Sequence, residues 1–534
     1  MAGRRSPCPS PSNSPIRTET AMRSFHRPCR GAGAVLPVLV SLLLLSGPAA
    51  TSAAEPPAIG WRNDGTGHFP DAAPPLAWGL KKDGAATNIA WATEMPFYSP
   101  SSVISAGSVL FTTANDYSLL CVEKKTGKIL WVRSVSPYDA ATKEDRTAHE
   151  EAFASLDKLA RNRDELNAKI PAAPTEAFKI GSDVSKVEKN MEKLLRDVDP
   201  EKYKETGMTY SDGGYMATTP AWDGTYVYAW NARGVTACFD LKGDRKWIRF
   251  DKIRPQEHGH YGSPLIVQDK VVIYIGKQYL ALDRKTGKEV WKSESHTNPE
   301  DWYGYWYGSA VLTRIGEEDV IVAGDGSLIR AKDGVRFLKG KGMQCCSPVV
   351  GGGCAFWMNG GSAGGDFTGG PAFCLKLPAD ASKPATPDIR TCAIDLKGTS
   401  CTCAASPLFH DGLLYIVGSN PVLIVYDVAA DKVVYRKDLD FGQASKRQDR
   451  PYGCGIGASP TLAGGKIFIV GNLGTTLILE PGRVYKEVGR NTIERHIAYN
   501  YQNDLLEGTV SNPFFEGKCI YYRAQKYLYC IESK

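Results

Sequence analysis

Apolar and polar residues alternate in short runs along most of the chain, a pattern typical of β-strands joined by tight turns. The clearest repeat links LLCVEKKTGKILW at 119–131 with YLALDRKTGKEVW at 279–291. Each copy has a strand, an acidic residue, a Thr-Gly turn and a second strand that ends in tryptophan. A weaker copy ends at Trp247, and another keeps an aromatic residue at Tyr435. The pattern predicts a pair of strands that recurs along the chain.

A second element lies upstream of these pairs and consists of Ser-Pro or Thr-Pro, an apolar strand, a polar turn and another apolar strand. Counting looser copies, it occurs at 99–113, 219–230, 263–276, 308–324, 347–360, 406–419, 459–472 and 512–524. Eight units with a period near that of a four-stranded blade predict an all-β fold, an eight-bladed β-propeller. The last unit lacks its final strand, and a spare strand at 88–94 carries Trp91. We therefore expect the N-terminal strand to complete the final blade and hide its edge.

One segment, from about 139 to 207, departs from this pattern because its apolar residues follow helical spacing. They form two stripes separated by Pro171 and Pro174: Phe153, Leu156, Leu159, Leu166 and Ile170, then Val184, Val187, Met191, Leu194 and Val198. The spacing predicts a helical hairpin inserted between the first two blades. Such a hairpin is either a cap packed on the propeller or an arm that binds a protein partner.

The N-terminal residues have the order of a secretory signal: arginines, an apolar run at 34–45, and small residues up to Ala54. The run is shorter than the roughly 20 residues of a membrane span, so cleavage is favoured over an uncleaved anchor. Met22 offers an alternative start. The predicted layout is a signal with a possible N-terminal extension (1–54), an N-terminal segment (55–87), the closing strand and first blade (88–138), the hairpin (139–207) and the remaining blades (208–534).

The formal charge of +6 is concentrated in residues 1–54, which contain six arginines and one acidic residue. The rest of the chain is nearly neutral, which argues against nucleic acid as a partner. We expect an exported protein of the periplasm or cell envelope, without a transmembrane span once the signal is removed. Of 14 cysteines, most lie beyond the signal, and an oxidising compartment favours disulfides over metal thiolates.

The residues 281–291, ALDRKTGKEVW, match at every fixed position the tryptophan-docking motif Ala-x-Asp-x-x-Thr-Gly-x-x-x-Trp. In this respect the chain resembles the quinoprotein family of eight-bladed propellers. The segment at 61–78 is also similar to exported PQQ-like propellers of planctomycete-type bacteria. In the motif, the turn reverses the chain and the tryptophan stacks on the next blade. Because this role is structural, the resemblance indicates the fold and says little about an activity.

The resemblance implies a cofactor for members with activity: pyrroloquinoline quinone (PQQ), held with Ca²⁺ or a lanthanide on the propeller axis. Candidates for binding the cofactor are Trp302, Trp306, Cys345, Cys346 and Arg450. In PQQ alcohol dehydrogenases a disulfide between adjacent cysteines covers the cofactor. Here the adjacent pair lies in the fifth unit, whereas those enzymes carry it near the beginning. Other disulfide partners, free thiols and packing between blades are the structural alternatives for these residues.

Metal-ligand candidates are Glu257, His258 and His260, with hydrogen-bonded structural histidines as the alternative. No set of carboxylates and amides matches the dehydrogenases' metal and base residues. We therefore expect a propeller that binds or acts as a scaffold. The alternative is a PQQ-dependent alcohol or sugar dehydrogenase, which would pass electrons to a separate acceptor protein. The two differ at the axis, where an enzyme should gather carboxylates, an amide and a flat aromatic floor, and a scaffold should show a narrow or apolar plug.

Overall fold

The structure is a computed structural model, and its described residues are 58–203, 215–253, 262–295, 307–340, 346–358, 371–396, 405–418, 421–442, 457–499, 502–509 and 511–533. Eight sheets in this part of the chain contain four strands in meander order, the plan of an all-β propeller. We number them in chain order as sheets 1 to 8. One further pair of strands, His496–Tyr499 and Gln502–Leu506, precedes sheet 8.

The strands of the first four sheets are short and bounded by turns. Sheet 1 has Ile104–Ala106, Val109–Ala114, Ser118–Glu123 and Ile129–Ser134. Sheet 2 has Ala221–Trp222, Tyr226–Trp230, Val235–Asp240 and Arg245–Phe250. Sheet 3 has Leu265–Val267, Lys270–Tyr274, Tyr279–Asp283 and Glu289–Lys292. Sheet 4 has Val311–Ile315, Glu318–Val322, Leu328–Arg330 and Arg336–Leu338.

The other four sheets follow the same plan. Sheet 5 has Val349–Gly351, Cys354–Met358, Ala372–Lys376 and Ile389–Thr391. Sheet 6 has Leu408–His410, Leu413–Gly418, Val422–Asp427 and Lys432–Asp438. Sheet 7 has Thr461–Ala463, Lys466–Val470, Thr475–Leu479 and Glu487–Ile493, extended by His68–Phe69, Gly79–Leu80 and Ala86–Thr87. Sheet 8 has Phe514–Glu516, Cys519–Arg523, Tyr527–Glu532 and Ile89–Glu94.

Sheet 8 joins the two ends of the described chain. Its outer strand is Ile89–Glu94, which pairs antiparallel with Tyr527–Glu532 and places Trp91 opposite Cys530. The spare strand of the sequence therefore lies where the last unit lacks one. This pairing covers an edge that would otherwise expose unpaired backbone groups.

A chain of hydrogen bonds connects the sheets through the Ser-Pro and Thr-Pro repeats. The backbone N–H of each repeat residue donates to the side-chain oxygen of the equivalent residue one sheet further on, at 2.7–3.0 Å. The residues in this series of hydrogen bonds are, in order, Thr219, Ser263, Ser309, Ser347, Ser406, Ser459, Asn512 and Ser102. The Ser101 hydroxyl then donates to Thr218 O at 3.1 Å, which connects sheet 1 back to sheet 2. We call this set the seryl ring.

Docked tryptophans make a second connection near the outer strands. The indole N–H of Trp91, Trp131, Trp247 and Trp291 each donates to a carbonyl of the next sheet, at 2.8–3.0 Å. A Cβ on Gly287 would lie 2.6 Å from the Trp247 ring, and the φ of Gly287 is +69°. Glycine is required there both by the turn and by the close approach of the ring. The stacking inferred from the motif is confirmed, and the core lies in apolar layers between neighbouring sheets.

Helices occur between sheets 1 and 2. Helix α1 spans Lys143–Ala148, α2 spans Glu150–Lys169 and α3 spans Ala177–Val198, with short 3-10 turns at Ile170–Ala172 and Pro174–Glu176. Leu156, Met191 and Leu195 are among the buried residues that hold α2 against α3. No described helix has the length and apolar character that a membrane crossing requires.

Candidate functional site

The centre of the ring is occupied by the chain's own N-terminal segment. Residues 58–69, which we call the axial segment, contact the inner strands of several sheets. Ile59 exchanges both backbone hydrogen bonds with Trp222 in sheet 2, and Leu462 N in sheet 7 donates to Gly67 O. A His68 ring nitrogen lies 2.8 Å from Phe409 O in sheet 6. Sheets on opposite sides of the ring are thus joined through this segment.

Arg62 is the central side chain of the axial segment and is only 3% exposed. Its guanidinium donates to Pro407 O at 3.1 Å and to Pro460 O at 2.7 Å, the prolines of two Ser-Pro repeats. Burial lowers the pKa of Arg62 to about 9, and the charge of Asp64 acts in the opposite direction. This cation therefore fastens the axial segment to the inner strands of sheets 6 and 7.

The helical hairpin is fixed to sheet 1 by a buried ionic network. Arg163 of α2 is bonded to Asp139 at 2.9 Å and to Glu188 of α3 at 3.3 Å. Burial acts to raise the pKa of Asp139, but the Arg163 charge and nearby serine hydroxyls outweigh it and lower that pKa. Burial raises the pKa of Glu188 to about 7, despite the opposing charge of Arg163. The Arg163 charge thus outweighs the effect of burial on the pKa of Asp139 but does not outweigh it for Glu188.

Further contacts hold α3 over sheets 8, 1 and 2. Its N-terminal part is in close contact with the chain that enters sheet 1, because a Cβ on Gly181 would lie 1.9 Å from Pro96 O. Glu192 accepts a hydrogen bond from Tyr117 of sheet 1 and pairs with Arg233 of sheet 2 at 3.4 Å. The hairpin is therefore docked on three neighbouring sheets, and it does not extend freely from the propeller.

The exposed face of α3 is basic. Lys179, Lys186, Lys189 and Lys193 are all exposed and fall on one side of the helix by its 3.6-residue period. Asp183 pairs with Lys186 at 2.8 Å, and the exposed Asp197 lies on the same side of the helix, so two carboxylates offset part of this charge. We call these four residues the lysine stripe. Such a stripe favours contact with an acidic surface.

Two buried charged residues that the sequence analysis missed, Arg523 and Glu507, lie where sheet 8 meets sheet 1, and each charge influences the pKa of the other. Arg523 is fully buried; one nitrogen donates to Phe97 O at 2.8 Å, and Nε and the other Nη have no hydrogen-bond partner. Glu507 accepts from Lys526 N, Tyr527 N and the Tyr529 hydroxyl at 2.6–2.8 Å. Burial raises the pKa of Glu507, although these hydrogen bonds oppose the shift. An alignment of the repeats would have shown Arg523 at the position of Trp230. In each case the backbone carbonyl accepts a hydrogen bond from the hydroxyl of the residue just before the seryl-ring residue, Thr218 for Trp230 and Ser511 for Arg523.

Most residues predicted for a cofactor or metal site lie outside the described residues: Glu257, His258, His260, Trp302, Trp306, Cys345 and Arg450. Cys346 is described and is buried in sheet 5. Its Sγ accepts from Met358 N at 3.4 Å and donates to Met358 O at 3.3 Å. The thiol is therefore engaged with the backbone of its own sheet.

The described groups do not fit a PQQ site with its metal. The Glu507 carboxylate already accepts three hydrogen bonds, which leaves it poorly placed to bind a cation as well. The Arg62 guanidinium donates one hydrogen bond from each Nη to a proline carbonyl, and its buried Nε has no hydrogen-bond partner. The inner strands are instead linked by the axial segment.

These features define a class of protein, an all-β propeller with docked tryptophans. A family model described as the outer membrane protein assembly factor BamB, PQQ_2, matches residues 203–301. No curated protein matches the chain.

Three solved structures have a similar chain trace. BamB from Moraxella catarrhalis is 10% identical with a TM-score of 0.46, over 84% of this chain and 97% of that one. Quinohemoprotein alcohol dehydrogenase from Comamonas testosteroni is also 10% identical, with a TM-score of 0.46 and coverages of 84% and 76%. A europium-containing methanol dehydrogenase is 12% identical with a TM-score of 0.40, over 81% and 84%.

Proposed function

We propose that this chain is an exported, eight-bladed propeller of the cell envelope that binds a protein partner and carries out no chemical reaction. The observation that carries the proposal is the axial segment. A site that binds a cofactor and a small substrate needs an open, concave pocket. Here residues 58–69 occupy the centre, and Arg62 is bonded to the inner strands of two sheets.

The partner surface in this proposal is the lysine stripe on α3. The Arg163 network and the Glu192 contacts hold the helix in one orientation, so binding does not first have to order it. Four exposed lysines on one face suit a partner with an acidic surface. Such an interaction should weaken as salt is added, because exposed charges are screened.

The first experiment tests whether the protein binds PQQ and oxidises alcohols or sugars. The mature protein is titrated with PQQ in the presence of Ca²⁺ or a lanthanide, and cofactor absorbance and protein fluorescence are followed. Simple alcohols and aldoses are then added with an artificial electron acceptor. We expect neither saturable binding nor dye reduction. Saturable binding with turnover would replace this proposal with the dehydrogenase reading.

The second experiment tests the surface. Envelope extracts of the source cells are cross-linked to the wild-type protein and to a K179E/K193E variant. The matched control, K158E/K169E, carries the same charge change on exposed positions of α2. We expect one cross-linked protein to be retained by the control, lost from the α3 variant and reduced by salt. Equal capture by both variants would refute the lysine stripe as the partner surface.

A further inference from the structure

Two cysteines of sheet 8 form a cluster with a carboxylate at the seam where the ring closes. The Sγ atoms of Cys519 and Cys530 and a carboxylate oxygen of Glu532 all lie within 4.8 Å of one another. Cys530 is buried, Cys519 is partly buried and Glu532 is exposed. We propose that these three residues bind one thiophilic divalent metal ion of the Zn²⁺ class, with water in the remaining coordination position.

The strand register determines how the two sulfurs can be joined. Cys519 lies opposite Glu532, and Cys530 lies opposite Tyr521, so the cysteines are diagonal neighbours. Diagonal neighbours have Cα atoms about 7–8 Å apart, beyond the roughly 7 Å limit for a disulfide in an undistorted backbone. A tetrahedral zinc ion with Zn–S bonds of about 2.3 Å holds two sulfurs about 3.8 Å apart. The register therefore favours a metal bridge over the disulfide expected from an oxidising compartment.

The electrostatic surroundings also favour a cation. Glu516 lies close enough to influence Cys519, and its carboxylate is held by Lys124 at 2.6 Å and by the Ser105 hydroxyl at 2.9 Å. Because a cysteine binds a metal ion as its thiolate, binding should release protons and become stronger as the pH rises.

Sheet 5 supplies an internal comparison. Cys354 and Cys374 occupy the same diagonal positions, opposite Lys376 and Phe356. Lys376 thus takes the place of Glu532, and Arg390, opposite Cys374, takes the place of Trp91. Arg390 is paired with Asp431 at 2.7 Å and Glu516 with Lys124 at 2.6 Å, so the two sites differ chiefly in Lys376 and Glu532. Among the described residues, the sheet 8 pair has a third ligand atom within 4.8 Å, and that ligand is a carboxylate.

The test uses Co²⁺, whose thiolate complexes give charge-transfer bands in the near ultraviolet, and the reduced, metal-free, full-length mature protein. We expect the bands to saturate at about one ion per chain and to disappear when Zn²⁺ is added. The variants C519S and C530S should lose the bands, whereas C354S/C374S should keep them. Because Glu532 is exposed, E532Q should stay folded and bind Co²⁺ more weakly than the wild type. A gain is expected from K376E, which should add a second, weaker set of bands.

Three results would overturn the proposal. The wild type could show no thiolate bands, or bands that C530S retains and C354S/C374S loses. Peptide mass spectrometry of protein isolated without reductant could also show Cys519 and Cys530 joined in a disulfide.

Discussion

The prediction with the largest expected effect concerns Arg163, which is 2% exposed and touches two buried carboxylates. Replacing it with methionine keeps the apolar stem but leaves Glu188 buried without a cation and Asp139 with only Arg245, 3.7 Å away. Removing one partner of a buried ion pair typically costs 3–5 kcal/mol, so R163M should weaken hairpin docking by about that amount. For an m-value of about 2 kcal/mol/M, the hairpin's urea midpoint should fall by about 2 M.

The assay separates the hairpin from the sheets because the two have different probes. The described α-helix is confined to the hairpin, so circular dichroism at 222 nm reports it. Residues 139–207 contain no tryptophan, so indole fluorescence reports the propeller. For R163M, we expect the dichroism transition to occur at a lower urea concentration than the fluorescence transition.

Two variants make the test specific. The triple variant R163M/D139N/E188Q also replaces the two buried carboxylates by neutral amides and should recover most of the lost stability. The variant R161M changes an exposed arginine of the same helix and should leave the midpoint unchanged. The reasoning is refuted if R163M behaves like R161M, or if the triple variant is as unstable as the single one.

Three further predictions concern pH and the connections between sheets. The folded-state pKa of Glu188 is about 7, above its usual 4.5, so the contribution of its protonated form to hairpin stability is complete below pH 4.5 and is lost as the pH rises through 7. In urea titrations the free energy of unfolding of the hairpin should fall by about 2–3 kcal/mol from pH 5 to 8. The variant E188Q should flatten this pH dependence. G287A should cost more than G412A in thermal melts, because both glycines have positive φ but only Gly287 has an indole within contact distance. N512A should lose about 1–2 kcal/mol in chemical denaturation by leaving a buried N–H unpaired, whereas N512S, the residue used in neighbouring sheets, should lose less.

The sequence was informative about the sheets because their determinants are local and repeated. A Thr-Gly turn followed by tryptophan specifies both a hairpin and a contact with the next sheet, as Trp247 and Trp291 show. The Ser-Pro repeats were recognised as strand starts, but their role in the seryl ring was not predicted. Each acceptor, a serine hydroxyl or the Asn512 amide oxygen, is bonded to a residue about 40–60 positions away in the chain, and no short-range sequence pattern predicts such a bond.

The axial segment was not predicted from the sequence, because its determinants are neither local nor repeated. Arg62 was passed over as part of an N-terminal segment, yet its partners Pro407 and Pro460 lie more than 340 residues away. The aromatic and histidine clusters near residues 257–306 were chosen for their composition, and they lie outside the described residues. Composition alone does not show which side chains a ring of sheets brings to its centre.

In a repeat protein, the residues that recur build the frame, and those that depart from the repeat indicate what each unit does in particular. Arg523 stands where sheet 2 has Trp230, which introduces a charge into an otherwise apolar layer. Glu532 stands where sheet 5 has Lys376, which reverses the charge beside an equivalent pair of thiols. Both departures fall in sheet 8, where the strands from the two ends of the propeller pair. A metal ion bound there would link the two strands that carry Cys519 and Cys530 and so strengthen the sheet in which the two ends meet.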